Sequence, residues 1–296
     1  MERDEIKKES QNLLEVEHLS VTFNQYSMGT ERRSLEVIHD ISLSVKSGEI
    51  VAVIGASGSG KSLLAHAIMG ILPVNAVTKG NVIFEGKVLS EKDKENLRGK
   101  KIALIPQSVS YLDPMMTVKN QIESPLKRRD SKKGIVQSLM EKFQLKKEVA
   151  TQYPFELSGG MARRVLIGTA ITSGAKLIIA DEPTPGMHMS VVEETLKAFK
   201  KMAEDGAGIL MITHDIDLAF TIADRVAVFC DGRVVSVEET ENFVSHPERL
   251  TSAYARALWH ALPQNGFFVE DGKVYNADMS DSEESLCAIN KKREAV

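Results

Sequence analysis

The octapeptide Gly55-Ala56-Ser57-Gly58-Ser59-Gly60-Lys61-Ser62 constrains this chain more than any other stretch. It follows Glu49-Ile50-Val51-Ala52-Val53-Ile54, whose apolar, β-branched residues between Gly48 and Gly55 give the profile of a short strand buried on both faces. From Ser62 to Leu72, the residues Leu63, Leu64, Ala67, Ile68 and Ile71 form an apolar stripe at helical spacing, and Gly70 and Pro73 punctuate its end. A glycine-rich turn therefore joins a buried strand to a helix N-terminus. Glycines let the main chain approach an anion closely. The unpaired N–H groups of the first helical turn and the helix dipole favour negative charge at the same place. Gly55, Ser57, Gly58, Ser59 and Gly60 then cradle phosphate, Lys61 adds a charge on the β/γ-phosphates, and the Ser62 hydroxyl can ligate Mg²⁺. In a chain of 296 residues such a pattern arises by accident on the order of one time in a hundred.

A second short apolar run, Lys176 to Ala180, ends in Asp181-Glu182-Pro183-Thr184. A carboxylate at the tip of a buried strand sits beside a phosphate loop in sheets of this kind, so Asp181 can hold Mg²⁺ directly or through water. Glu182 is one residue further and points elsewhere, toward the γ-phosphate, where it can activate water.

Four further segments fall in a fixed order. Ile105-Pro106-Gln107 follows the run Lys101 to Leu104, and Leu157-Ser158-Gly159-Gly160 opens a helix expected from Met161 to Thr172. Thr213-His214-Asp215 ends the run Gly208 to Ile212, and Ala223-Asp224-Arg225-Val226 starts the next strand. With the phosphate loop and the acidic strand end, this ordered set resembles the nucleotide-binding subunits of ATP-binding-cassette (ABC) transporters over residues 13 to 265. The resemblance implies an α/β fold: a P-loop NTPase core with a mainly parallel sheet, an antiparallel β subdomain and a helical subdomain. It implies that Gln107 senses Mg²⁺, the attacking water and the membrane partner, and that His214 contacts the γ-phosphate and holds the catalytic geometry. It also implies that Ser158, Gly159 and Gly160 bind the γ-phosphate of ATP held by a second cassette, in keeping with an anion site at a helix start. Phe23 matches the aromatic that stacks on adenine, and Tyr26 is close enough to compete for that role.

Within the family the chain looks closest to the peptide and nickel importer ATPases. Met161 follows Ser-Gly-Gly where glutamine is more usual, Gln107 to Met116 looks like that group's stretch after the glutamine, and His246-Pro247 with Ala255 to Pro263 looks like its tail. Some residues depart from the pattern. Met187-His188 stands where the family usually has Leu-Asp, in a loop that crosses the dimer, and Arg163 stands where glutamine is common. A neutral histidine cannot replace a carboxylate in that network, which suggests a heterodimer whose other ATPase subunit supplies a standard loop. Cys230 and Cys287 are too few for the four-thiolate cluster that some members carry in the tail.

Composition bounds the rest. A hydrophobic share of 43% supports a sizeable core, and a net charge of −4 gives no global basic surface for nucleic acid. The cluster Lys127-Arg128-Arg129, Lys132-Lys133 reads as a solvated face, with phospholipid or a partner as the alternative. Two distant cysteines suggest a reducing compartment. No apolar run reaches the roughly 18 residues that span a bilayer, and Met1 to Glu5 is charged without a signal-peptide core. The seven histidines show no metal-ligand spacing. One phosphate loop means one cassette. The expected division is an ATP-binding core at 1–110 and 165–239 with its antiparallel subdomain (segments 13–54 and 80–88), a helical subdomain at 111–164 and a C-terminal extension at 240–296. The extension should hold an amphipathic stretch through Trp259, a hairpin turning at Asp271-Gly272, and a disordered end from Met279.

The function implied is that of an ATP-hydrolysing importer subunit for peptides, nickel or metal chelates, with ATP and Mg²⁺ as cofactors. Its implied partners are two membrane permease subunits, a second ATPase subunit and an extracytoplasmic substrate-binding protein, with the chain peripheral on the cytoplasmic face of the membrane. The rival readings are an exporter's ATPase and a soluble cassette acting on the ribosome or DNA. Transport direction discriminates the first, and the lack of a second cassette or of sustained heptads argues against the second.

Overall fold

A computed structural model of the chain describes residues 12–26, 32–126, 134–260, 262, 268–270 and 273–275. The basic cluster at 127–133, the turn at Asp271-Gly272, Cys287 and the polar end from Met279 lie outside the described residues.

In chain order the elements begin with β1 (Asn12–Tyr26), β2 (Arg32–Lys46), β3 (Ile50–Ile54), α1 (Lys61–Met69), β4 (Ala76–Phe84), β5 (Lys87–Val88), α2 (Glu91–Leu97) and β6 (Ile102–Ile105). A helical stretch follows: α3 (Val118–Glu123), α4 (Ile135–Lys142) and α5 (Gly159–Ser173). Then come β7 (Leu177–Asp181), α6 (Met189–Glu204), β8 (Gly208–Thr213), α7 (Ile216–Ile222), β9 (Arg225–Cys230) and β10 (Arg233–Glu239). The tail holds α8 (Thr240–Val244), α9 (Ala253–His260) and the hairpin strands β11 (Phe268–Glu270) and β12 (Lys273–Tyr275).

Two sheets carry the fold. A six-stranded sheet has the order β10-β9-β3-β8-β7-β6, parallel throughout except for the antiparallel edge strand β10. A four-stranded antiparallel sheet has the order β2-β1-β4-β5. This is an α/β fold, with the antiparallel part drawn from the expected segments except that residues 50–54 join the parallel sheet.

The parallel strands are buried on both sides, and their residues alternate between two cores as the twofold period of a strand requires. Ile50, Ala52 and Ile54 of β3 face one apolar cluster, Val51 and Val53 the other. β7 repeats this with Ile178 and Ala180 against Leu177 and Ile179, and β8 with Ile209 and Met211 against Leu210 and Ile212. The first cluster takes in α5, α6 and α7 together with Val118, Ile122, Leu139, Met140 and Phe143 from the helical stretch. Among the described residues those helices thus share the core of the parallel sheet. The second cluster joins α1 to the antiparallel sheet.

The tail is fastened to the edge strand. Buried Glu238 accepts hydrogen bonds from the Thr251 N–H (2.9 Å) and hydroxyl (2.5 Å), and the Trp259 indole donates to the Phe243 carbonyl at 2.8 Å. The expected amphipathic stretch is helix α9, and β11 pairs with β12 in a register (Glu270 opposite Lys273) that leaves two residues for the turn. Among the described residues no helix is long and apolar enough to cross a membrane.

Candidate active site

In open α/β sheets, ligands bind beyond the carboxyl ends of the parallel strands, where the strand order reverses. The marked residues fall there. The loop Gly55 to Gly60 leaves β3, Gln107 follows β6, Asp181 ends β7 with Glu182 next, and His214 follows β8. β3 lies between β8 and β9, so the phosphate loop opens at the middle of the sheet.

The loop is shaped by close packing. A Cβ on Gly55 would fall 2.2 Å from the Phe229 carbonyl oxygen of the neighbouring β9, so no larger residue fits. Gly60 takes a left-handed conformation (φ 102°) as the N-cap of α1 and provides no side-chain cap, so the helix starts with its N–H groups open to an anion. Lys61 is buried, and its Nζ donates to the carbonyls of Gly55 (2.8 Å) and Ala56 (2.7 Å). Burial lowers its pKa, and the carboxylates of Glu182 and Asp181 act in the opposite sense.

Asp181 is also buried, and burial raises its pKa, opposed by a hydrogen bond from the Ser62 hydroxyl to Oδ1 at 3.1 Å. A buried carboxylate and a hydroxyl in contact are hard oxygen donors of the kind Mg²⁺ takes. Among the described residues there is no group of three or more His, Cys, Asp or Glu that could hold a metal. The Ser59 hydroxyl is buried without a hydrogen-bond partner, a polar atom left for a phosphate oxygen.

Glu182 is held at nearly every polar atom. Its N–H donates to the Ile212 carbonyl at 2.9 Å. Its Oε1 lies 3.1 Å from the His214 main-chain N–H and 2.7 Å from His214 Nδ1. Its carbonyl accepts a hydrogen bond from Arg163. The residue sits in the left-handed region (φ 48°), a conformation a non-glycine residue keeps only when its surroundings impose it, and one that gathers at functional sites.

Ser158 caps α5 by accepting from the Met161 N–H at 3.3 Å, and Ser158 and Gly159 are exposed. Gly160 is there for a close approach: a Cβ on it would stand 2.9 Å from the Gly186 carbonyl. His188, exposed, is the N-cap of α6 and makes no side-chain cap hydrogen bond. Phe23 pairs across the antiparallel sheet with Leu35 and Ala76, and the adjacent β2 brings Val37 within 3.5 Å of where a Gly60 side chain would begin. Tyr26 is the last residue of β1.

The structure therefore brings together Lys61, Ser62, Asp181, Glu182 and His214. Gln107 is exposed, and its side chain makes no hydrogen bond to Ser62 or Asp181 among the described residues; its carbonyl is instead bound by Arg163 at 2.7 Å. That arginine is the site residue sequence reasoning undervalued. It stood out only as a departure from glutamine, and its partners are main-chain carbonyls, which no residue pattern marks.

Residues 38–185 match the family described as ABC transporter. Over 265 residues the chain is 34% identical to the oligopeptide transport ATP-binding protein OppD of Bacillus subtilis (strain 168), covering 85% of this chain and 72% of that protein. The chain belongs to the ABC transporter family. It is a nucleotide-binding cassette of that family, an ATPase, grouped with the peptide transport ATP-binding proteins. A further ABC relative, the oligopeptide transport ATP-binding protein OppF of Streptococcus pyogenes serotype M1, is 31% identical over 286 residues, with 92% of this chain and 90% of that protein covered. Among solved structures, a dimeric post-hydrolysis state of an ATP-binding cassette bound to ADP and phosphate superposes with a TM-score of 0.66 at 28% identity, over 77% of this chain and 98% of that one.

Proposed function

We propose that this cassette is the ATP-hydrolysing subunit of an ABC importer for peptides, working at the cytoplasmic face of the membrane. Its partners are two permease subunits, a second ATPase subunit and an extracytoplasmic substrate-binding protein. The observation that carries the reading is the held carboxylate of Glu182, beside Lys61 and the Ser62–Asp181 pair at the strand ends. The relatives named for oligopeptide transport favour peptide over nickel or metal chelate as cargo.

ATP occupies the phosphate loop, with Lys61 on the β/γ-phosphates, the Ser59 hydroxyl on a phosphate oxygen and Phe23 against adenine. Ser62 and Asp181, with Gln107 as the residue that senses it, would hold Mg²⁺, which would offset charge on the phosphates. Ser158, Gly159 and Gly160 of the second subunit close on the γ-phosphate through an open helix start. Glu182 takes a proton from, or orients, the attacking water. His214 holds its carboxylate by Oε1 and contacts the γ-phosphate. Hydrolysis removes the phosphate that joins the subunits, and they part. The helical segment 111–164 is the face offered to the permease subunits. Because His188 replaces a carboxylate in the loop between subunits, the second ATPase subunit is a different chain with a standard loop.

Glu182→Gln tests the reading. ATP-dependent association with the partner should persist, while phosphate release falls at least about a hundredfold, the scale of a lost general base. Equal release by the variant and the parent chain refutes the role given to Glu182.

A further inference from the structure

We propose that Arg163 is a positioning residue for hydrolysis, tying Glu182 and Gln107 to helix α5 through two main-chain carbonyls. The inference rests on the reading of Glu182 as the group that acts on water.

One guanidinium makes both bonds. Its Nη1 donates to the Glu182 carbonyl and its Nη2 to the Gln107 carbonyl at 2.7 Å. Glu182 follows β7 and Gln107 follows β6, adjacent strands of the parallel sheet. The planar fork of arginine fixes two acceptors at once, which a lysine or a glutamine amide cannot do with the same reach and geometry. The bond to Glu182 matters because of the conformation it holds. With its N–H on Ile212 and its Oε1 on His214, the carbonyl is the remaining handle on a left-handed peptide, and Arg163 occupies it. Turning that peptide back toward an ordinary conformation would break the arginine bond and swing the carboxylate.

The next residue fastens the same helix on its other side. Arg164 donates from Nη1 to the carbonyls of Phe143 (2.9 Å) and Gln144 (3.2 Å), at the end of α4, and from Nε to the Gly160 carbonyl at 3.1 Å. Successive side chains on a helix point about 100° apart, so this pair spans from the helical stretch to the catalytic edge. α5 starts at the Ser158 cap, and Arg163 lies five residues on, roughly 7.5 Å along the axis. A displacement of the partner-facing helix start is thereby passed to this subunit's own Glu182.

The test is steady-state ATPase kinetics of the full-length chain in its assembled transporter, with Arg163→Met, Arg163→Lys and Arg163→Gln beside Glu182→Gln. Arg163→Met keeps the length of the side chain but no donor. It should lower kcat about ten- to a hundredfold, since small misplacement of a reacting group costs up to about two decades, while KM for ATP stays within twofold. Arg163→Lys, able to bind one carbonyl, should fall between the parent and Arg163→Met, and so should Arg163→Gln. A wild-type kcat in Arg163→Met, a loss carried by KM, or lysine no better than methionine overturns the proposal. If Arg163→Met does not assemble, the lysine and glutamine variants decide it, since wild-type kcat in both also overturns it. Glu182→Gln separates the two readings. If that variant is inactive while Arg163→Met is fully active, only the role of Arg163 falls. If Glu182→Gln turns over normally, the reading of the site falls with it.

Discussion

Gly159 and Gly160 are neighbours with opposite constraints, and alanine at each position separates the fold from the chemistry. Both lie in the first turn of α5, where alanine in place of glycine favours the helix by up to about 1 kcal/mol. A Cβ on Gly159 meets nothing within 4 Å, so that gain stands unopposed. A Cβ on Gly160 meets the Gly186 carbonyl at 2.9 Å, against an ordinary contact of at least 3.4 Å, so the helix and the loop after Glu182 must part by 3.4 − 2.9 = 0.5 Å. Overpacking against main chain costs about 1–3 kcal/mol, which outweighs the helix gain. Gly160→Ala should therefore be about 1–2 kcal/mol less stable than the parent and Gly159→Ala equal or slightly more stable. The variants then differ by about 1–3 kcal/mol, and at about 2–4 °C per kcal/mol for a large domain they should melt roughly 2–12 °C apart. The second assay is phosphate release in the assembled transporter at a temperature where both are folded. Gly159→Ala should bind ATP normally yet lose most turnover, because the exposed main chain at Gly159 is the surface proposed to meet the partner's γ-phosphate. If Gly160→Ala melts at or above Gly159→Ala, the close approach to Gly186 does not confine the helix. If Gly159→Ala turns over like the parent, that helix start is not the phosphate face.

Two other perturbations probe the frame around the site. Burial pulls the Glu49 pKa up, but the Arg225 side chain and the Lys46 N–H outweigh it, so the net value lies below the ordinary 4.5. Its contribution is therefore present above about pH 4.5 and lost as pH falls through the depressed folded value. Glu49→Gln should cost about 2 kcal/mol at pH 7 and flatten the fall in stability toward pH 3.5, read by urea melts at the two pH values; parallel acid profiles contradict this. His188→Asp should add the missing cap and a favourable charge at the start of α6, raising stability by about 1 kcal/mol and the melting point by about 2–4 °C. An unchanged melting curve counts against the vacant cap.

The parts of the fold that were legible in the sequence are those where one strand is buried on two faces. The runs that became β3, β7 and β8 are continuously apolar because each strand feeds two cores; β7 ends in Asp181, and Gly55 and His214 follow β3 and β8. The long strands β1 and β2 were visible only as short segments. Register shifts near Leu19 and Val21, with His18 and Asp40 at positive φ, break the alternation that would mark fifteen-residue strands. Lys61, Ser62, Asp181, Glu182 and His214 could be marked as candidates from residue type and order, since each carries a polar side chain, and the structure brings them together. The contact of Glu182 with His214 was not readable, nor was the packing of Gly160 on Gly186. Both depend on which strand ends become neighbours. Arg163 belongs with these: it acts on carbonyls, and every residue has one.

The two halves of the chemistry are fastened to different bodies. Lys61 and Ser62 start α1, which is embedded with the antiparallel sheet in the core on one side of the parallel strands. The Glu182 and Gln107 carbonyls are tied to α5, which is embedded with α6 and α7 in the core on the other side. Interiors packed at crystal-like density move as blocks and do not deform smoothly. A shift of α5 against the sheet can thus move the Glu182 carboxylate, proposed to act on water, while leaving Lys61 in place. Perturbations at Gly159 and at Arg163 then share one kinetic mark: nucleotide affinity kept and kcat lost. Loss of affinity from either would mean that the two blocks move together and that the helix does not gate the hydrolytic step.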